Sequence, residues 1–186
     1  MIKLDFLCHK QDALTQLLLH TWRNLGLWVI AGLVLALSPI LTAEPLFRGS
    51  PSPPPPAPAQ QVARLLELTN RQRLANAVPP VRLSDILNRA AENHAQDLAD
   101  HNFVSHTGSD GSSIGSRADR VNYRWRTLGE NIYRGVGSSP ERAIAGWMRS
   151  PGHRRNLLDP RFGEVGFGIA QRGIYTFYVQ VLARPL

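Results

Sequence analysis

Three short segments carry the side chains that could do chemistry: Asn102-Phe103-Val104-Ser105-His106, Gly129-Glu130-Asn131-Ile132 and Trp147-Met148-Arg149-Ser150-Pro151-Gly152-His153-Arg154. Each sets a histidine or a carboxylate beside small or turn-forming residues, where a polar side chain can be aimed into a cleft instead of being lost on a solvated helix face. Two chemistries are open to them. Imidazole nitrogen and carboxylate oxygen bind zinc at about 2.0–2.2 Å, and three protein ligands plus water make an open site. The same groups can form a metal-free network, with Glu130 accepting from both imidazoles and Ser150 capping the helix under His153. The candidate cavity is therefore His106, Glu130, Ser150 and His153, of which His106, Glu130 and His153 are the candidate ligands of one divalent metal such as zinc.

Other arrangements are weaker. Ser105-His106, and Ser150 with His153, look like nucleophile and base, yet there is no Gly-x-Ser-x-Gly elbow and no signal for an oxyanion hole. Adjacent residues on extended chain also point to opposite sides. His94, Asp97 and His101 fall on one side of a helix. His94 shares its face with alanines and Leu98, which predicts a packed histidine with one hydrogen bond, and His101 sits near a helix end that favours its charged form. Neither joins the candidate site.

The elements that must hold these groups can be read from periodicity and caps. A first helix is predicted over Gln60–Ala77, stopped by Pro79-Pro80. A second starts at an N-cap, Ser84, and carries the stripe Ile86, Leu87, Ala90, Ala91, Ala95 and Leu98. Thr107–Ser116, rich in glycine and serine, is expected to be a loop. Ser139-Pro140-Glu141 opens a third helix bearing Trp147, and Ser150-Pro151 opens a short fourth to about Leu157. Val165, Phe167 and Ile169 alternate with glycines, and Arg172-Gly173 turns the chain into Ile174–Ala183, giving an antiparallel hairpin with Glu130–Tyr133 as a third strand. Helices on either side of a small antiparallel sheet make an α+β domain.

That domain, residues 60–186, is preceded by three segments: a leader over 1–24, an apolar uncharged stretch over 25–43 and a Pro-rich linker over 44–59. The apolar stretch is long enough to approach the ~30 Å hydrocarbon core of a bilayer. It reads as a signal or transmembrane segment; cleaved signal and uncleaved anchor both remain open, and both place the domain outside the cytoplasm. The linker should be an extended polyproline II spacer. The single cysteine, Cys8, precedes the apolar stretch, so the domain holds neither thiol nor disulfide.

The formal net charge is +7, and every basic Lys or Arg position after Ala43 is arginine. Guanidinium groups grip carboxylates and phosphates in two-pronged fashion, which suits lipid headgroups or anionic cell-envelope polymers as partners besides the membrane itself. Nucleic acid is not an expected partner. The arginines are dispersed and no nucleic-acid motif is visible.

The order and spacing of the three segments, with an aromatic strand ending near Gln180, resemble the CAP superfamily, the SCP-like domain of cysteine-rich secretory proteins, antigen 5 and pathogenesis-related proteins of group one, and within it the bacterial branch. This resemblance implies a three-layer α-β-α sandwich over about two-thirds of the chain. In better-known eukaryotic members two histidines and two glutamates line a cavity that can hold a divalent metal. The resemblance places His106 and Glu130 on the first of each. Ser150 stands where the second glutamate would be and Phe177 where the second histidine would be, so half of that set is absent, and His153 is the residue that could compensate. The family's fold does not select an activity, and the expectation is an exported binding or interaction module, with a metal-assisted hydrolase as the alternative.

Overall fold

The computed structural model of the protein describes residues 58–186. The leader, the apolar stretch and the linker up to residue 57 lie outside the described residues. Among the described residues no helix is long and apolar enough to cross a membrane. The elements run α1 (Pro58–Ala75), β1 (Arg82–Leu83), α2 (Asp85–His101), α3 (Ile114–Arg120), β2 (Trp125–Val136), α4 (Pro140–Arg149), α5 (Pro151–Leu157), β3 (Glu164–Arg172) and β4 (Tyr175–Pro185).

Of the serine caps anticipated from sequence, Ser84 acts through its side chain, whereas Ser139 and Ser150 stand at the N-cap positions of α4 and α5 without a side-chain capping bond. Ser84 Oγ accepts from the Leu87 amide at the start of α2, and Asn102 ends that helix in the left-handed conformation at φ 54°. Pro140 and Pro151 open α4 and α5, where a missing amide proton costs nothing. Pro58 does the same for α1, so Pro58 and Ala59 belong to the helix and not to the linker. That helix ends two residues before the predicted Ala77, which takes φ 57° while the Val78 amide donates to Arg73 O.

Strand order is β1-β3-β4-β2. β3 and β4 form the expected hairpin, with Arg172 opposite Tyr175, and β2 lies antiparallel to β4 over its whole length. The sheet is mixed, not purely antiparallel: the two-residue β1 runs parallel to β3, pairing Arg82 with Glu164. A strand this short leaves no alternation to read.

Side chains of β4 alternate between two cores. Phe177, Val179, Val181 and Ala183 face α2 and α3, while Tyr178 and Leu182 face α1, α4 and α5. The result is three layers, with helices on both faces of the sheet. On one side α2 lies directly on β3: a Cβ at Gly166 would come within 2.2 Å of Leu87 C, and one at Gly168 within 2.1 Å of Ala91 O. On the other, Trp147 of α4 is completely buried beside Leu65, Leu157 and Phe167. Full burial of such side chains contributes about 1.5–3 kcal/mol each.

The predicted loop over Thr107–Ser116 is only partly a loop. Its end enters α3, opened by a reciprocal capping box in which Ser113 Oγ accepts from the Ser116 amide and Ser116 Oγ accepts from the Ser113 amide.

Candidate functional site

Glu130 is at the middle of β2, which is an edge strand. Its neighbours along the strand divide between the two helical layers. Glu130 shares its face with Ile132, which packs under α2, and Asn131 points to the opposite face. The edge itself is covered by α5, whose Asn156 Nδ2 donates to Glu130 O at 3.1 Å and to Asn131 Oδ1 at 3.1 Å. An outward-facing carbonyl that could pair with a foreign strand is thereby satisfied internally.

The Glu130 side chain is 3 % exposed, and both its oxygens are engaged. Arg117 Nη2 donates to Oε2 at 2.7 Å. His106 Nδ1 donates to Oε1 at 2.8 Å, which fixes the tautomer and leaves Nε2 turned away from the carboxylate. Arg117 also donates to His106 O at 3.2 Å and Ser112 O at 2.8 Å, so one guanidinium from α3 ties together the loop and the carboxylate that hold the histidine.

His106 follows the left-handed end of α2. His94, buried in α2, pins the intervening turn through Nε2 to Ser105 O at 3.0 Å. Ser105 Oγ accepts from the Thr107 amide, so this hydroxyl has a turn-forming task. His153 reaches the site from the opposite helical layer: its ring centroid is 6.5 Å from that of His106, at 54°. Its carbonyl accepts from Asn131 Nδ2, which also donates to Gln180 Oε1 at 2.9 Å. Gln180 Nε2 in turn donates to Thr69 Oγ1 on α1. Two imidazoles therefore meet across the edge of the sheet, with a buried ion pair behind one and a buried amide chain behind the other.

The charges follow from these contacts. The hydrogen bond to Glu130 raises the His106 pKa above the ordinary 6.5, against a smaller opposing effect of burial. Burial, then the neighbouring His106, lowers that of His153. Burial also lowers that of His94.

The structure thus brings His106, Glu130 and His153 into one neighbourhood. Ser150 serves as the joint between α4 and α5: its carbonyl accepts from the Arg154 amide at 2.8 Å, but its side chain makes no capping bond, contrary to the expected role. Its backbone adopts φ −90° and ψ 119° there. The expected bond from His153 to Glu130 is replaced by that of Arg117. His94 is the packed histidine expected, yet its Nε2 is 3.9 Å from Glu130 Oε1, so it lies against the site. His101 bonds Asp97 at the helix surface, away from it. Arg117 was not anticipated; the Ser113-x-x-Ser116 spacing was the available signal. A cavity of about 200 Å³ adjoins this group, lined in part by His94, Asp97, Arg117 and Arg120.

A metal centre has too few donors here. Glu130 is committed through both oxygens, two imidazoles remain, and among the described residues no group of three or more His, Cys, Asp or Glu side chains is placed to hold an ion.

The comparisons with known proteins agree with the architecture. The chain is 32% identical over 110 residues to YkwD of Bacillus subtilis, 59% of this chain and 42% of that protein. It is 28% identical over 113 residues to the membrane protein YlbC of the same organism, 61% of this chain and 32% of that one. It therefore spans less than half the length of these curated relatives. A crystal structure of an extracellular SCP-domain protein from Bacillus anthracis superposes with a TM-score of 0.62 at 28% identity, covering 70% of this chain and 44% of that one. The family model described as "CAP: Cysteine-rich secretory protein family" matches residues 66–182, and the chain belongs to that family.

Proposed function

We propose that this protein is an extracytoplasmic binding module, held at or released from the membrane through its N-terminal segment, and that its ligand enters the cleft between His106 and His153. The observation that carries this reading is the state of Glu130: buried, with one oxygen on a guanidinium and the other on His106. A carboxylate so placed orients an imidazole and is not free to take a proton from substrate. The cleft then offers an oriented His106 Nε2 on a side chain 62 % exposed, suited to an anionic or hydroxyl-bearing envelope component. The extracellular and membrane-protein relatives support the compartment.

The test is retention of envelope glycan and lipid fractions by the full-length protein, with product release followed in parallel. Binding without turnover, weakened about 10-fold by H106A, is the expected result; one lost hydrogen bond to a charged group accounts for it. Turnover abolished by H106A instead marks an enzyme.

A second reading, metal-assisted hydrolysis, has one observation in its favour: a carboxylate holding His106 by Nδ1 is how metal-bound histidines are commonly oriented. Its missing third protein ligand counts against it. Stoichiometric zinc retained by the purified protein, and lost in H106A and H153A, would move the conclusion to this reading.

A further inference from the structure

On the flank of α5 away from β2 lies a groove of about 650 Å³, lined by Pro151, Arg154, Arg155, Leu158, Pro160 and Arg161, with Asp159 at its edge. The chemistry alternates. Two proline rings and a leucine supply apolar patches, and three arginines stand among them. Asp159 neutralises only one, Arg161, through a short-range pair at 2.6 Å. Arg154 has a neutral partner, Asn76 Oδ1 at 3.2 Å. Arg155 is exposed. The groove therefore carries two uncompensated positive charges.

Its wall is rigid. Arg73, completely buried on α1, donates to Leu157 O at 2.8 Å, Asp159 O at 3.1 Å and Phe162 O at 2.9 Å, so one guanidinium holds the whole turn from α5 to β3. A preformed surface of this kind loses little freedom when a ligand binds.

Position selects the partner. The groove is at the C-terminal end of α1, where Arg73 and Asn76 touch it. Earlier residues of the chain join at Pro58, the other end of an 18-residue helix, about 27 Å away. The groove therefore lies a helix length from the residue where the N-terminal segment joins, and its two uncompensated guanidiniums spaced among apolar patches suit an extended anionic polymer.

We infer that the α5 groove binds an anionic phosphodiester-linked polyol or sugar polymer of the cell envelope, Arg154 and Arg155 gripping successive phosphates while Pro151, Leu158 and Pro160 pack against the carbon segments between them. This rests on the proposed binding function and names a ligand class for it, because α5 carries His153 into the cleft one residue before Arg154.

The test uses the full chain in neutral detergent, with immobilised poly(glycerol phosphate) as probe and phosphatidylglycerol vesicles as a second arm. R154A/R155A is compared with R126A/R142A, which removes the same charge from exposed positions elsewhere; equal melting temperatures verify both folds. The expected result is about 10-fold or greater loss of polymer affinity for R154A/R155A and less than about 2-fold for R126A/R142A. Equal losses in the two pairs would mean bulk charge attraction and overturn the site. So would absence of polymer binding, an unaffected R154A/R155A, or vesicle binding that depends on Arg154 and Arg155 while the polymer is ignored. H106A separates the two readings: if it binds polymer like the wild type, the cleft is not used and the groove stands on the arginine pair alone. If H106A weakens binding and R154A/R155A does not, the cleft stands without the groove.

Discussion

His106 Nδ1 lies 2.8 Å from Glu130 Oε1, and the other oxygen of that carboxylate is held by Arg117, so the protonation of an accessible imidazole is controlled by a buried ion pair. E130Q should bring the His106 pKa down to 6.5 or below, because the attraction is removed while the effect of burial remains. Proton NMR titration of the ring resonances in wild type and E130Q checks this; an unchanged His106 midpoint would show that the contact is not formed in solution.

The three histidines near Glu130 affect stability with opposite signs. His106, raised by Glu130, contributes stability that is complete below the unfolded value near 6.5 and lost as pH climbs through its folded pKa. His94 and His153, lowered by burial, act in reverse: the unfolded chain takes up protons first as pH falls from 6.5 toward their folded values, so acidification through that window destabilises the fold. In H94Q, urea unfolding at a series of pH values should show a shallower loss on the acid side.

Arg117 and Glu130 have side chains 7 % and 3 % exposed. R117M leaves a buried carboxylate with only His106, and a loss of about 3–5 kcal/mol in unfolding free energy is expected. The R117M/E130L double variant should recover a large part of that loss. A double variant no better than R117M would mean that Arg117 acts mainly through Ser112 and His106.

Arg73 supplies four hydrogen bonds to main-chain carbonyls, of Pro79, Leu157, Asp159 and Phe162. R73K keeps a charge but cannot span them with one ammonium group, and it should cost about 3 kcal/mol or more. Amide exchange should accelerate first at Leu158 and Phe162.

G168A should cost about 3 kcal/mol, since its methyl would stand 2.1 Å from Ala91 O and α2 would have to lift from β3. That shift carries His94 with it, so the His106 titration should move too. A stable G168A with an unchanged titration would contradict the close packing of helix and strand.

Much of this architecture was legible where one signal reinforced another. Ser84 followed by a stripe through Leu98 specified α2, and the Val165-Gly-Phe167-Gly-Ile169 alternation specified β3. What escaped was encoded by single contacts. α3 has only seven residues and its cap lies in a run of glycine and serine that also describes a loop. Arg117 is one arginine among many, distinguished only by the carboxylate it meets in three dimensions. The site followed the same rule: His106, Glu130 and His153 stood out beside turn residues, whereas the role of His94 was hidden because an apolar stripe and a site wall coincide on one helix face.

Thr69, Gln180 and Asn131 are completely buried, yet they link by side-chain hydrogen bonds from α1 through β4 to β2, and Asn131 continues to the main chain of α5. Apolar neighbours could exchange for others of similar volume with modest loss. An amide must meet its partner or lie unsatisfied, so this chain penalises any slip of the sheet against its helices. It acts as a molecular dowel, making the separation of the two imidazoles a property of how the domain is assembled and not only of the loop that bears His106.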